Sequence, residues 1–246
     1  MDSTARFGET ASIYDLYRPD YPQAIVDALE VEGKQVADVG SGTGILTRRL
    51  LEAGAHVFAL EPNPQMRAAA EAKLGHHQRF HSHDGTAEST GLLDQSVDLV
   101  TAAQAFHWFR PAETRAEFAR ILKPDGRVAL IWNDRRSSTP LLTDYEAMLL
   151  RYGLDYEEVG HRLVFEEHLD GWFDDYETVV VDNHQTLDWN GLVGRLMSCS
   201  YVPRQGHPNY EPMMARLAEI FALHQQDGLV RFEYDSRLFL GRITPL

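Results

Sequence analysis

The stretch that predicts the fold is Val36-Ala37-Asp38-Val39-Gly40-Ser41-Gly42-Thr43-Gly44. It begins as a short apolar strand and ends in a glycine-rich turn, and the apolar pattern of residues 45–53 then predicts a helix. Glycine lets the backbone turn sharply and approach a ligand closely. Amide groups at the N-terminus of the helix would attract a carboxylate or a phosphate. We therefore expect a ligand-binding loop between a buried strand and a helix.

Strands and helices alternate after this loop. Further strands are predicted at residues 56–60, 79–83, 97–102 and 127–132, with helices at 64–74 and 111–122. Two helical stretches, 137–171 and 186–226, surround the last strands, 176–182 and 232–241. This order predicts βαβ units. The expected fold class is α/β: a Rossmann-like, doubly wound, seven-stranded, mostly parallel sheet with helices on both faces and helical insertions that form a partial lid.

Composition excludes several classes of partner. The net charge of −14 would repel a nucleic-acid duplex, so we expect no nucleic-acid partner. No apolar run has the roughly 20 residues that span a bilayer, and the N-terminus lacks an apolar segment of the signal-peptide kind. Because Cys199 is the only cysteine, no intrachain disulfide is possible. We expect a cytoplasmic protein with no membrane association.

An acidic residue strengthens the prediction of a nucleotide site. Glu61 follows the second strand, 23 residues beyond Asp38, where a carboxylate accepts hydrogen bonds from ribose hydroxyls in dinucleotide-binding folds. A hydride-transferring enzyme would have a glycine at position 45, to complete G-x-G-x-x-G. That position is Ile45, and the third glycine is Gly44. The spacing disfavours an NAD(P)-dependent oxidoreductase, which stays as an alternative.

Five motifs resemble those of class I S-adenosylmethionine-dependent methyltransferases, in that family's order. They occupy residues 36–44, 60–66, 84–88, 96–109 and 120–127. Within this superfamily the chain is most similar to the ubiquinone and trans-aconitate methyltransferase-like group, which has a type 11 methyltransferase domain. Residues 7–22 and 104–108 carry that similarity. From about residue 137 onward the resemblance identifies no substrate.

The resemblance implies S-adenosyl-L-methionine as methyl donor and S-adenosyl-L-homocysteine as product. In the family, the acid at Asp38 contacts the donor's amino group or orders the loop, and the acid at Glu61 binds both ribose hydroxyls. The remaining matches would border the methionine part, the sulfonium or the adenine. They are Gly40, Ser41, Gly42, Gly44, Pro62, Met66, Gly85, Thr86, Ala87, Glu88, Gln104 and Ala105.

The N-terminal residues are predicted to cover the cofactor. Tyr14, Tyr17 and Arg18 share one face of a helix, because they are spaced by three and four residues. We interpret this helix as a flap in which Arg18 pairs with the cofactor's carboxylate. An amphipathic helix that only packs on the sheet is the alternative.

The methyl acceptor is expected to be a small molecule that meets Tyr14 and the aromatic run Phe106-His107-Trp108. Aromatic faces stabilise a cation such as the sulfonium. His107 is the candidate general base or acceptor-positioning residue, since its ordinary pKa lies near neutrality; simple pocket lining is the alternative. Trp132, Asn133, Ser200 and Tyr201 are further pocket candidates, and Cys199 is interpreted as a structural thiol.

We expect one structural domain in three parts. Residues 1–30 would form the helical flap, 31–135 the S-adenosylmethionine-binding core, and 136–246 the remaining sheet with its lid insertions. A monomer or a homodimer is expected. His76, His77, His81, His83 and Asp84 cluster in the sequence but lack recognisable metal-ligand spacing, so we expect no metal. A non-catalytic S-adenosylmethionine-binding protein is a second alternative function.

Overall fold

Seven strands build one sheet in the computed structural model, which describes residues 17–154, 156, 169 and 171–243. They are β1 Gln35–Val39, β2 His56–Leu60, β3 Phe80–His83, β4 Val97–Ala103, β5 Leu122–Arg135, β6 Asp175–Leu187 and β7 Val230–Arg242. Their order is β3-β2-β1-β4-β5-β7-β6. The first five strands are parallel, whereas β7 runs antiparallel to both β5 and β6. The predicted seven-stranded, mostly parallel α/β fold is confirmed.

Helices cover both faces of this sheet. They are α1 Gln23–Ala28, α2 Ile45–Glu52, α3 Pro64–Leu74, α4 Pro111–Ile121, α5 Pro140–Tyr152, α6 Trp189–Met197 and α7 Tyr210–His224. One apolar cluster packs α4 against the sheet through Phe118 and Trp132. The other packs α1 and α2 on the opposite face, through Ile25 and Leu50. Neighbouring side chains on a strand point to opposite faces, which explains why β1 and β4, covered on both faces, are mostly apolar.

The fifth strand starts earlier than predicted. It begins at Leu122 rather than Arg127, and it includes the Pro124-Asp125-Gly126 sequence that is typical of a turn. Its register against β4 is irregular, because Val97 pairs with Leu122 but Leu99 pairs with Arg127. Residues 123–126 therefore bulge out of the sheet, and the turn-forming residues are accommodated there.

A layer of helices lies beyond the C-terminal end of β5. That strand ends where Arg135 pairs with Tyr234, while β6 and β7 stay paired as far as Leu187 and Val230. Helices α5, α6 and α7 pack on this projecting pair in a third apolar cluster, which includes Leu192. We call α5, α6 and α7 the helical layer. Within the described ranges, every helix is too short or too polar to span a bilayer.

Candidate functional site

The glycine-rich loop lies at the C-terminal edge of the sheet, between β1 and α2. Gly40, Gly42 and Gly44 have φ angles of 69°, 57° and 84°, which residues with side chains rarely adopt. A Cβ on Gly40 would lie 2.7 Å from the Cβ of Ala105, so the chain after β4 leaves no room for a side chain. A Cβ on Gly42 would have only the Sδ of Met66 within 4 Å, at 3.9 Å. The loop is therefore closely packed at Gly40 and open at Gly42.

Gly44 faces away from this opening. It precedes the first residue of α2, and a Cβ there would lie 2.8 Å from the Cδ1 of Leu74 on α3. The positive φ favours glycine at this position, and a side chain there would also displace the end of Leu74 on α3. Gly44 thus packs against α3 and does not line the cavity beside Gly42, and its contact with a cofactor stays a prediction.

A cavity of about 230 Å³ opens beside Gly42 at the ends of β1, β2 and β4. Its lining comes from four of the predicted motifs: Gly40, Gly42, Glu61, Pro62, Asn63, Met66, Gly85, Thr86, Ala87, Glu88, Ala103, Gln104, Ala105, Trp108 and Phe109. We call it the main cavity. A smaller cavity of about 40 Å³ shares Gly40, Gly42 and Ala103 with it and reaches Asp38 and Ser41. Ligands of open α/β sheets bind at this edge of the sheet.

The carboxylate of Glu61 is fixed by two backbone amides. Oε2 accepts a hydrogen bond from the amide of Gly42 at 2.9 Å, and Oε1 accepts one from the amide of Asn63 at 2.8 Å. Each carboxylate oxygen has two lone pairs, so acceptor capacity is left for a ligand in the main cavity. Burial raises the pKa of Glu61 above its ordinary value, although these two amides act in the opposite direction.

Asp38 is enclosed by hydroxyl groups. Its Oδ2 accepts a hydrogen bond from the Oγ1 of Thr47 at 2.6 Å, and its Oδ1 accepts one from Thr101 at 2.8 Å. These bonds connect β1 to α2 and β4. Burial raises the pKa of Asp38 to about 6, against the effect of the hydroxyl groups. Of the two roles expected for Asp38, this geometry favours ordering of the loop.

The loop after β3 forms the far wall of the main cavity. A Cβ on Gly85 would lie 2.8 Å from the carbonyl oxygen of Thr90, so this loop has no room for a side chain there. Thr86 and Ser89 exchange two backbone hydrogen bonds. Glu88 accepts a hydrogen bond from the amide of Arg110 at 2.9 Å. Burial would raise the pKa of Glu88, but this amide and other hydrogen bonds outweigh burial and hold the pKa below its ordinary value.

The turn after β4 has a strained backbone. Gln104 has a φ of 55°, which is uncommon for a residue other than glycine. Its amide donates to the carbonyl of Ile131 at 2.9 Å, and its side-chain Nε2 donates to the carbonyl of Asn133 at 3.2 Å. Strained residues held by such contacts concentrate at functional sites. Here the contacts with β5 bring Gln104 and Ala105 to the main cavity.

The three aromatic residues after this turn separate. Phe106 is buried, with its ring centroid 4.8 Å from that of Trp172. Trp108 lines the main cavity and is 37% exposed. His107 does not line that cavity, and its ring centroid lies 4.9 Å from that of Trp108. Phe109 also lines the cavity; it is the last residue of the 96–109 motif but was not among the candidate site residues.

Two other lining residues were absent from the sequence-based candidates. Asn63 is buried and accepts hydrogen bonds from the amides of Gln65 and Met66, which caps α3. Its position before Pro64 is a recognisable start signal for a helix, although not for a ligand site. Ala103 is the last residue of β4, where nothing in the sequence distinguishes a lining alanine from a core one.

The described end of the predicted flap contacts the helical layer and β6. The Nη2 of Arg18 donates to the carbonyl oxygen of Ser198 at 2.9 Å, and Arg18 lines a cavity beside α2 and α3 rather than the main cavity. The carbonyl of Tyr17 accepts a hydrogen bond from Gln185 at 3.0 Å. Tyr14 lies outside the described residues. The pairing of Arg18 with a cofactor carboxylate stays a prediction.

The histidine-rich segment has a packing role. The rings of His81 and His83 lie 5.2 and 5.7 Å from the ring of Phe58 on the neighbouring strand. Among the described residues, His, Cys, Asp and Glu form no group of three or more that could hold a metal ion.

Comparison with known proteins agrees with this geometry. Residues 37–130 match the family described as methyltransferase domain. An uncharacterized methyltransferase of Mycobacterium tuberculosis (strain ATCC 25618 / H37Rv) is 42% identical over 135 residues, which cover 54% of each chain. An uncharacterized methyltransferase-like protein of Schizosaccharomyces pombe is 34% identical over 148 residues, which cover 58% of this chain and 57% of that protein. The chain thus matches only about half the length of these curated relatives.

A solved structure extends the similarity of fold to nearly the whole chain. A proposed type II methyltransferase from Anaeromyxobacter dehalogenans matches 94% of this chain and 100% of its own, with a TM-score of 0.70 and 24% sequence identity. Because the two sequences are only 24% identical, this match shows a similarity of fold and nothing about activity. The motif match and the fold agree on the same region: residues 37–130 match the methyltransferase-domain family and lie in a Rossmann-like α/β sheet similar to that of the Anaeromyxobacter dehalogenans protein, as the sequence motifs predicted.

Proposed function

We propose that this protein transfers a methyl group from S-adenosylmethionine to a small-molecule acceptor. One observation carries the proposal: the buried carboxylate of Glu61 is held by the amide of Gly42 at the wall of the main cavity. The carboxylate of Glu61 can accept hydrogen bonds from ribose hydroxyls, and it lies beside the glycine-rich loop, which is open at Gly42. A methyltransferase domain implies such a cofactor site.

The residues around the main cavity fit the three parts of the cofactor. Glu61 would accept hydrogen bonds from the ribose. Pro62, Met66 and Ala87 offer apolar contacts for the adenine. The open face at Gly42 and the adjoining smaller cavity suit the amino-acid part, because a Cβ at Gly42 would fill space that the ligand needs.

When bound, S-adenosylmethionine would supply an activated methyl group, which the electron pair of the acceptor would take in line as the bond from the methyl carbon to the positively charged sulfur breaks. The protein's contribution is alignment, which is worth on the order of 7–11 kcal/mol of barrier in well-oriented reactions. Gln104 and Ala105 would border the sulfonium, and the ring of Trp108 would stabilise its charge. His107 and Tyr14 are proposed to position the acceptor, with His107 as the general base where a proton must leave.

The three predicted parts of the chain would have separate roles in binding the cofactor and the acceptor. We propose that residues 1–30 form a flap and that the insertions within residues 136–246 form a lid over the core at 31–135. The hydrogen bonds from Arg18 to Ser198 and from Gln185 to Tyr17 support this arrangement, because they attach the described end of the proposed flap to the chain after α6 and to β6. The single, buried Cys199 supports a reducing compartment, which we propose is the cytoplasm.

Calorimetric titration with S-adenosylhomocysteine tests the cofactor assignment directly. The full chain should bind S-adenosylhomocysteine at one site per chain, with no binding of NAD or NADP under the same conditions. Preference for NAD or NADP would instead favour the oxidoreductase alternative. Transfer of radiolabel from S-adenosylmethionine to small molecules then separates an enzyme from a non-catalytic binder.

A further inference from the structure

An asparagine interrupts an apolar face near the end of β5. Ala129, Ile131 and Asn133 point to the same face of the sheet, because they are two residues apart, and the first two belong to the apolar cluster around α1 and α2. Asn133 is only 7% exposed. A buried amide costs free energy unless it forms hydrogen bonds, so the partners of Asn133 indicate what it does.

The side chain of Asn133 is held by the two strands beyond β5. Its Oδ1 accepts a hydrogen bond from the Oγ of Ser236 on β7 and another, at 3.1 Å, from the Nδ2 of Asn183 on β6. Ser236 lies directly opposite Asn133 in the antiparallel ladder. Both lone pairs of Oδ1 are thus occupied, which fixes the plane of the amide and directs its Nδ2 towards the chain before α1.

The two asparagine amides donate to one carbonyl oxygen, that of Asp20. The Nδ2 of Asn183 lies 2.8 Å from this oxygen, and the Nδ2 of Asn133 lies 3.4 Å from it. The carboxylate of Asp20 in turn pairs with Arg48 on α2, at 2.7 Å. Asp20 is therefore attached to the sheet through its backbone and to the helix after the glycine-rich loop through its side chain.

The network of Asn133 reaches both cavities of the candidate site. Tyr21, the residue after Asp20, is buried and lines the smaller cavity. In the other direction, the carbonyl of Asn133 accepts the side chain of Gln104 at 3.2 Å, and Gln104 lines the main cavity. Asn133 itself lines neither of these two cavities. It connects a wall of one cavity to a wall of the other.

We propose that Asn133 and Asn183 are positioning residues for the amino-acid part of the methyl donor. They hold the backbone at Asp20, which keeps Tyr21 against the smaller cavity, while the carbonyl of Asn133 keeps Gln104 at the main cavity. The adenosine part would instead meet residues that follow β2 and β3, which none of these hydrogen bonds reaches. This inference rests on the proposed methyltransferase function and deepens it.

The test compares two ligands that differ in the amino-acid part alone. 5′-Methylthioadenosine has the adenine, the ribose and the sulfur of S-adenosylhomocysteine but lacks its amino and carboxyl groups. Asn133→Ala should weaken the binding of S-adenosylhomocysteine about tenfold, because the chain at Asp20 loses a donor and the support of Asn183. The affinity for 5′-methylthioadenosine should stay the same. Calorimetry of the full chain measures both affinities.

Asn183→Ala keeps the proposal testable if Asn133→Ala does not fold. Asn183 is half-buried on the edge strand β6, so its loss should leave the fold intact. This variant should weaken S-adenosylhomocysteine binding about 3- to 10-fold, again with no effect on 5′-methylthioadenosine. Asn209→Ala is the matched control, since the Nδ2 of Asn209 also donates to a backbone carbonyl, that of Tyr152 in the helical layer, at 3.3 Å. It should bind both ligands like the wild type.

The pattern of affinities separates positioning from general support of the fold. Weaker binding of S-adenosylhomocysteine with unchanged binding of 5′-methylthioadenosine supports the proposal. A merely structural role would change the affinity for both ligands equally, or for neither, and either result in the asparagine variants overturns it. Wild-type protein that binds neither ligand contradicts the proposed function instead.

Discussion

The amide of Gly42 donates a hydrogen bond of 2.9 Å to the carboxylate of Glu61. This bond joins the loop after β1 to the residue that follows β2, so the open face of the loop and the candidate ribose acceptor are set relative to each other. The same carboxylate accepts the amide of Asn63, the residue that caps α3. Loss of either partner should therefore affect cofactor binding more than folding.

Glu61→Ala should lower the affinity for S-adenosylhomocysteine by about 100-fold or more. The change removes the acceptor of the ribose hydroxyls and leaves the Gly42 amide without its partner, and a hydrogen bond to a charged group contributes about 1.5–3 kcal/mol. Calorimetry provides the measurement. Glu219→Ala, at an exposed position on α7, is the control and should bind normally. Equal affinity in the two variants would show that Glu61 is not part of the site.

Gly42→Val should abolish S-adenosylhomocysteine binding. Valine would place a branched side chain in the space beside Met66. The φ of 57° at position 42 would also lower the stability of a variant with a side chain there by about 1–2 kcal/mol. Gly91→Val separates these two effects. Gly91 has a comparable φ of 73°, but a Cβ there would meet nothing within 4 Å. The control should lose similar stability and keep its affinity; if both variants bind equally well, the loop does not contact the cofactor.

The stability of the protein should fall as the pH rises through the titration of Asp38. Its pKa is about 6 in the folded protein, against 3.8 ordinarily, so the folded state holds the proton more tightly. The contribution of protonated Asp38 to the free energy of unfolding is complete below about pH 4 and is lost by about pH 6–7. It amounts to about 3 kcal/mol at most. Urea unfolding at pH 4 to 7 measures it.

Asp38→Asn provides the comparison for this pH dependence. Asparagine cannot titrate, so the difference in unfolding free energy between the wild type and Asp38→Asn should itself change over this pH range. The wild type should lose stability relative to the variant as the pH rises. Parallel pH profiles for the two proteins would contradict the raised pKa.

Gly194→Ala should detach Tyr17, at the described end of the proposed flap, from the helical layer. A Cβ on Gly194 would lie 2.3 Å from the ring of Tyr17, although alanine itself favours a helix. We expect faster proteolysis near Tyr17 and weaker S-adenosylhomocysteine binding, with α6 intact by circular dichroism. Tyr17→Ala should reproduce both effects. Unchanged proteolysis and affinity in both variants would argue against the flap.

Local patterns were enough to predict much of the fold and the donor side of the site. The strand at His56–Leu60 and the helix at Pro64–Leu74 have the predicted bounds, because burial on both faces and the Asn63-Pro64 start signal are properties of adjacent residues. The glycine-rich loop and Glu61 were found in the same way. These features follow from short segments of chain, which carry their own conformational preferences.

The sequence by itself therefore determined the order of strands and helices, the glycine-rich loop and the acid beside it. Only the tertiary structure decided which side chains face a cavity. It buried Phe106 and left Trp108 at the main cavity, and it brought Arg18 to the carbonyl of Ser198. Such contacts join residues that are far apart in sequence, and their geometry depends on how whole elements pack. No local pattern contains that information.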